Sequence, residues 1–339
     1  GSRQYPATRS ADAAMPTLAK LTRPKVHRAL PRDRLFEHLD ESRERPLVWV
    51  VAPPGAGKTT LISSYVDSRK LKSVWFHIDA GDADIGTFFY YLAQTLPNSR
   101  SKRDEPLPAF SPAHLADLPG FCRHFFRTFF SRLATPGVLA LDNYHELPAA
   151  SPLHTVLAQA VAEVPEGHNI VVISRAPPPR ELAHLRATER VATVDWSLLR
   201  LSLDETRAIA ASRAAIDEKT LLRIHQLADG WAAGIALSLH RVQQLAPRSS
   251  ASSQEELADL FDYFAAQVLD STAPEVQEFL KCTALLPTMT AAMAEQLSGR
   301  EDSEELLEDL HRRGVLLDRR NTRPPIYHYH DLFRALLLT

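Results

Sequence analysis

One stretch of this chain, Ala52-Pro53-Pro54-Gly55-Ala56-Gly57-Lys58-Thr59-Thr60, gathers the residue types that hold phosphate. Gly55 and Gly57 let a backbone come close to an anion and turn its N–H groups inward. Lys58 can reach the β- and γ-phosphates of a nucleotide, and the Thr59 hydroxyl can ligate Mg²⁺. Lys58 is expected at an exposed loop edge, contributing charge rather than packing. The pattern G-x-x-x-x-G-K-[ST] places glycine first, where this chain has the small residue Ala52. Two more side chains fit the same chemistry. Asp142 closes the apolar run Val138-Leu139-Ala140-Leu141, where an acid supports Mg²⁺, usually through a water. Arg175 closes Ile170-Val171-Val172-Ile173-Ser174, and its planar fork suits a γ-phosphate. His330, in Tyr329-His330-Asp331, is not selected by its spacing, since an isolated histidine is more often structural.

Such residues need a scaffold. Leu47-Val48-Trp49-Val50-Val51 before the loop and Leu61-Ile62-Ser63-Ser64-Tyr65-Val66 after it read as strand and helix, which puts the loop at a helix N-terminus. Val74–Asp79, Val138–Asp142, Ile170–Arg175 and Val191–Val194 read as further strands. The runs at 138–142 and 170–175 do not alternate, as expected of strands covered on both faces of a parallel sheet. Between the strands, Leu35–Leu39, Phe88–Ala93 and Phe121–Leu133 read as helices, the last with five phenylalanines on a core face. Residues 98–119 read as loop. The fold class is therefore an α/β domain with a parallel sheet, its ligand edge at the strand carboxyl ends. After Trp196 only helices are expected: one opened by Asp204 as N-cap, then Leu221–Leu227 and Trp231–Leu239, broken at Asp229-Gly230. A polar hinge spans Pro247–Ser253. Further helices lead to a hairpin of 315–318 with 326–329, the outline of a winged helix.

Composition narrows the class. The 339 residues suggest roughly two or three domains. A formal net charge of −2 carries no nucleic-acid or membrane signature. Cys122 and Cys282 are the only cysteines and lack ligand spacing, which fits a reducing cytoplasm. No apolar run reaches the ~18–20 residues of a membrane span. Gly1-Ser2 reads as a tag remnant, and the apolar pattern running into Thr339 suggests that more chain follows.

Taken together, these segments resemble the MalT-like regulators of bacteria, signal-transduction ATPases with numerous domains (STAND). The likeness runs from about Leu21 to Leu338. It is carried by Leu18–Pro24 with Leu30–Leu35, by Trp75–Asp82, by Leu139–His145 as Walker B strand and by Ile173-Ser174-Arg175 as sensor strand. Asp229-Gly230-Trp231-Ala232-Ala233-Gly234 is similar to the helical-domain motif G-W-x-A-G, and Tyr327–Phe333 to the end of the winged helix. The resemblance implies a disordered tail at 1–20, a nucleotide-binding domain at 21–196, a helical domain at 197–246 and a winged-helix domain at 247–339.

The resemblance also implies roles. Leu30 and Arg32 would face adenine through side chain or backbone. Gly55, Ala56, Gly57, Lys58, Thr59 and Thr60 would hold the phosphates of ATP or ADP. Asp142 would support Mg²⁺ and Arg175 would sense the γ-phosphate. The Trp231-Ala232 turn would pack near the base, and His330 would reach the β-phosphate to lock an ADP-bound closed form. ATP plus an inducer would favour an open, self-associating form of a LuxR-type regulator. The inducer-sensing and DNA-binding domains would lie beyond Thr339. Asn143 departs from the family, where a second acid is common. Asparagine cannot take a proton from water, so hydrolysis would be slow or Glu146 would substitute. The rival readings are a P-loop ATPase or small-molecule kinase outside transcription, an AAA+-type remodelling ring, and a scaffold with a silent P-loop.

Overall fold

The computed structural model describes residues 19–26, 29–96, 106–213, 216–245, 269, 272–312, 317–320, 323–329, 333–334 and 337–338. Five strands form a parallel sheet: β1 (Leu47–Val51), β2 (Lys72–His77), β3 (Gly137–Asp142), β4 (His168–Ser174) and β5 (Val191–Val194), in the order β2-β3-β4-β1-β5. Odd and even residues serve different cores. Leu47, Trp49 and Val51 of β1 join Leu139 and Leu141, Ile170 and Val172 on one face. Val48, Val50, Val138, Ala140, Val171 and Ile173 join the other. Apolar side chains on both faces explain why these strands show no alternation.

The first face is covered by α3 (Ile85–Gln94), α4 (Leu118–Arg132) and α5 (Leu153–Ala162). All five phenylalanines of α4 are buried, with Phe125 4.7 Å from Phe89 of α3. The second face carries α1 (Asp33–Ser42) and α2 (Lys58–Ser68), through Leu35, Phe36, Leu61 and Tyr65. α6 (Ala183–Ala187) precedes β5 and α7 (Trp196–Leu199) follows it.

Among the described residues after α7, helices come first and then a hairpin. α8 (Leu203–Arg213), α9 (Glu218–Ala228) and α10 (Ala232–Leu245) share one apolar cluster around Leu221, Ile224, Ile235 and Leu239. α11 (Pro274–Thr283), α12 (Ala291–Ser298) and α13 (Ser303–Arg312) pack with an antiparallel pair, β6 (Leu317–Arg320) and β7 (Ile326–Tyr329). Met289 adds a single antiparallel bridge to Tyr327, and Tyr329 Oη lies 2.6 Å from Thr283 Oγ1.

Several sequence expectations shift. Ser202, not Asp204, caps α8: Glu205 N–H donates to Ser202 Oγ while Ser202 N–H donates to the Glu205 carboxylate. That reciprocal pair satisfies two helix-end donors, which a lone Asp204 cannot do. Within 98–119, Pro112–Asp117 form a 3₁₀ turn and α4 already begins at Leu118, capped by Asp117 through Gly120 N–H. Ala19 and Lys20, placed in the tail by sequence, form a 3₁₀ turn in which Lys20 pairs with Asp79 and Asp82 at 2.6 Å each. The hairpin's first strand is described at Leu317–Arg320, extending past the expected end at 318, and residues 315 and 316 lie outside the described ones. So do the Pro247–Ser253 hinge and His330.

Candidate functional site

β1 delivers the chain into a loop that turns back through two left-handed glycines, Gly55 (φ +71°) and Gly57 (φ +84°), and straight into α2. Only glycine reaches such φ values without strain, and the turns aim backbone N–H groups into the loop. β3 and β4 end on the same sheet edge. Asp142 therefore faces the loop, and Arg175 follows β4 beside it. A cavity of about 240 Å³ opens here, bordered by Gly55, Gly57, Lys58, Thr59, Asp142 and Arg175. Of the residues that sequence assigns to phosphate and metal, Gly55, Gly57, Lys58, Thr59, Thr60, Asp142 and Arg175 meet at this hollow, whereas Ala56 does not border it.

Lys58 departs from expectation. It is buried, and its Nζ folds back to donate to the carbonyls of Ala52 (2.7 Å) and Pro53 (2.9 Å). Burial, with the Arg175 charge added, pushes its pKa down to about 7, against the opposing pull of Asp142. Thr59 Oγ1 donates to both Asp142 oxygens at 3.2 Å. The Asp142 carboxylate also accepts Asn143 N–H at 2.9 Å and lies 3.5 Å from His77 Nδ1. A hydroxyl and a carboxylate so close are hard oxygen donors of the kind Mg²⁺ takes, with water and phosphate completing its shell. Among the described residues no cluster of three metal-ligating side chains occurs.

A second cavity of about 500 Å³ adjoins the first and shares Gly55, Gly57 and Thr60 with it. Leu30, Pro31 and Arg32 border it on one side, with Ala56 and Leu61, and Ile209, Ser212, Ala232 and Ala236 of α8 and α10 on the other. Its walls are mainly apolar, as a flat aromatic ligand prefers. Two assigned residues are held by partners that the sequence does not show. Arg32 borders the cavity, but its guanidinium forks onto Glu205 (3.1 and 3.0 Å) and donates to the carbonyls of Leu199 and Arg200. Its side chain is a strut between α1 and α8, leaving only its backbone for a ligand. Trp231 does not border the cavity at all. It is 2 % exposed, packs into the cluster of Phe279, Leu280, Tyr327 and Phe333, and donates its indole N–H to Pro54 O at 2.9 Å. Ala233 N–H donates to Gly55 O at 2.9 Å, so the turn before α10 grips the phosphate loop by two carbonyls. Ala232 alone of the pair meets the cavity, and a Cβ on Gly57 would lie 3.6 Å from its own.

Sequence reasoning passed over His77 and His145. His145 borders the phosphate cavity, and its Nδ1 accepts Arg175 N–H at 3.3 Å. Only the register of β3 against β4 brings these two together. Asn143 also borders the cavity, in a left-handed conformation, whereas Glu146 points away, half-exposed and 3.3 Å from His145 Nε2.

Comparison with known proteins bears on the fold and the resemblance. Residues 265–339 match the family described as the MalT winged helix domain. Over 94 % of its length the chain is 27 % identical to the HTH-type transcriptional regulator MalT of Vibrio cholerae and 28 % to that of Vibrio campbellii. It spans only 36 % of each of those proteins. The Walker-type ATPase paby2304 of Pyrococcus abyssi superposes with a TM-score of 0.64 over 94 % of this chain and 99 % of its own, at 15 % identity. At that identity the likeness speaks for the fold. The resemblance to MalT read from the sequence therefore holds along the chain, and the fold is a parallel-sheet α/β P-loop architecture followed by helices and a winged-helix domain. No helix among the described residues is long and apolar enough to cross a membrane.

Proposed function

We propose that this chain, so similar to MalT, is the adenine-nucleotide switch module of a STAND-class transcriptional regulator. One observation carries the reading: a hollow lined by Lys58, Arg175 and the loop glycines meets a mainly apolar hollow at Gly55, Gly57 and Thr60. A nucleotide has that division, phosphates at one end and a flat base at the other. Domains at 21–196, 197–246 and 247–339 would then hold it between them.

In this reading the loop N–H groups and the α2 N-terminus bind the phosphates, and Lys58 leaves its two carbonyls to join them. Thr59 and Asp142 hold Mg²⁺, which would neutralise phosphate charge. Arg175 reads the γ-phosphate, and Leu30 with Ala232 flanks the base. Hydrolysis is slow, because Asn143 can orient a water without taking its proton. ADP favours a closed form, with His330 on the β-phosphate. ATP and an inducer favour an open form that self-associates. Inducer and DNA are met through other parts of a longer protein, in the cytoplasm.

Acid extraction of purified protein followed by chromatography tests the reading. Bound adenine nucleotide, ADP above all, is expected. Protein free of nucleotide that also shows no thermal shift with ADP or ATP would overturn it. The kinase alternative predicts ATP consumption that depends on a small acceptor.

A further inference from the structure

We infer that His145 is a positioning residue for Arg175, holding the backbone of the γ-phosphate sensor at the lip of the phosphate cavity. The inference rests on the nucleotide reading above. Its starting point is the Arg175 guanidinium, which has no hydrogen bond or ion pair among the described residues. Its aim is therefore set by its backbone. The described side-chain contact to that backbone comes from His145, whose Nδ1 accepts Arg175 N–H at 3.3 Å. A backbone N–H can only donate, so Nδ1 is the bare nitrogen and the proton sits on Nε2. Burial, then the nearby charges of Arg175 and Lys58, push the imidazole pKa down to about 4, so this acceptor form persists at neutral pH.

The turn that carries the histidine is anchored through its neighbour. It lies in the 3₁₀ turn Tyr144–Glu146, just beyond β3. Tyr144 is buried, meets Trp49 of β1 edge-on at 5.2 Å, and its hydroxyl lies 3.0 Å from His154 Nδ1 on α5. The sensor loop has its own support one residue on: Ala176 N–H donates to Ser174 Oγ and its carbonyl accepts the Trp49 indole N–H, each at 3.0 Å. Behind it lies a further cavity of about 550 Å³, bordered by His145, His154, Ala176 and Pro177–Pro179. His145 thus forms the wall between that space and the phosphate hollow. The turn after β3 thus adds, through His145, the contact that holds the Arg175 amide itself.

A purely structural histidine and a sensor-positioning one differ in a measurable way. Only ATP carries the phosphate that Arg175 would meet, so loss of its aim should spare ADP. Titration calorimetry with ADP and with a non-hydrolysable ATP analogue reads the difference. His145→Leu should weaken the analogue by about tenfold or more, the scale of one charge-assisted phosphate contact, and ADP by less than about twofold. His145→Asn should restore much of the loss, since its carboxamide oxygen can accept the Arg175 N–H. Arg175→Ala should mimic His145→Leu, and the double variant should lose no more than either alone. The inference is overturned if both nucleotides weaken together, if neither does, if Asn is no better than Leu, or if the two losses add. Wild-type protein that binds neither nucleotide would remove the underlying reading and this inference with it.

Discussion

Lys58 sits buried against two carbonyls, with Arg175 close enough to disfavour its charge. Replacing it by alanine should abolish the ADP-induced rise in melting temperature, a gain of ~2.7 kcal/mol for wild type at a hundredfold excess over Kd. A shift of unchanged size in Lys58→Ala would show that another group holds the phosphates. The same environment gives a pH dependence. Phosphate favours the ammonium form. Below the lowered pKa of about 7 the side chain is already charged, and affinity should be level. Above it binding must take up a proton, and affinity should fall by up to about tenfold per pH unit. Calorimetry in buffers of different ionisation enthalpy counts that proton, once the nucleotide's own titration is subtracted. Binding without proton uptake above neutrality would refute the assignment.

At the scale of elements, Arg32 and Glu205 join the start of α1 to α8 in a mostly buried pair. Removing one partner, in Arg32→Met or Glu205→Gln, takes the main charged partner from a mostly buried group that keeps only Arg34 and Ser202 N–H, or two carbonyls, and should cost about 1.5–3 kcal/mol in chemical denaturation. Burial raises the Glu205 pKa, but the Arg32 hydrogen bonds, the Ser202 N–H and the charges of Arg32 and Arg34 together override it and the net shift is downward. Its contribution is thus present above the ordinary glutamate range and lost as pH falls through the lower folded value, which acid unfolding of wild type against Glu205→Gln would expose. Much of this scale was legible beforehand. Strands β1, β3 and β4 announced themselves as unbroken apolar runs, because both faces of the sheet are covered. The phosphate loop was legible because glycine, lysine and threonine do their work within a few residues. What escaped depends on partners distant in sequence. Arg32 finds Glu205 and Trp231 finds Pro54 only after folding. The Asp204 expectation failed more locally, since Ser202 and Glu205 together take that helix end and satisfy two donors where aspartate satisfies one.

For the whole molecule, the closed form proposed above needs His330 and the phosphate loop over one nucleotide. His330→Ala should release ADP about tenfold faster or more, since a hydrogen bond to charged phosphate is worth ~1.5–3 kcal/mol. A larger scattering radius should accompany it; wild-type release and radius would return the histidine to a structural role. The grip of the α10 turn on the loop binds the molecule together in a different way. Trp231 roots in the apolar cluster of the winged helix while its indole N–H holds Pro54, and next to it Ala233 N–H holds Gly55. A Cβ on Gly55 would come within 2.7 Å of Ala233, so loop and turn fit with no slack. The Ala233 amide is therefore a built-in gauge of domain separation. In deuterium oxide its proton should exchange slowly while the winged helix is docked and quickly once Trp231 withdraws, with no label attached to the protein and no need to watch the nucleotide.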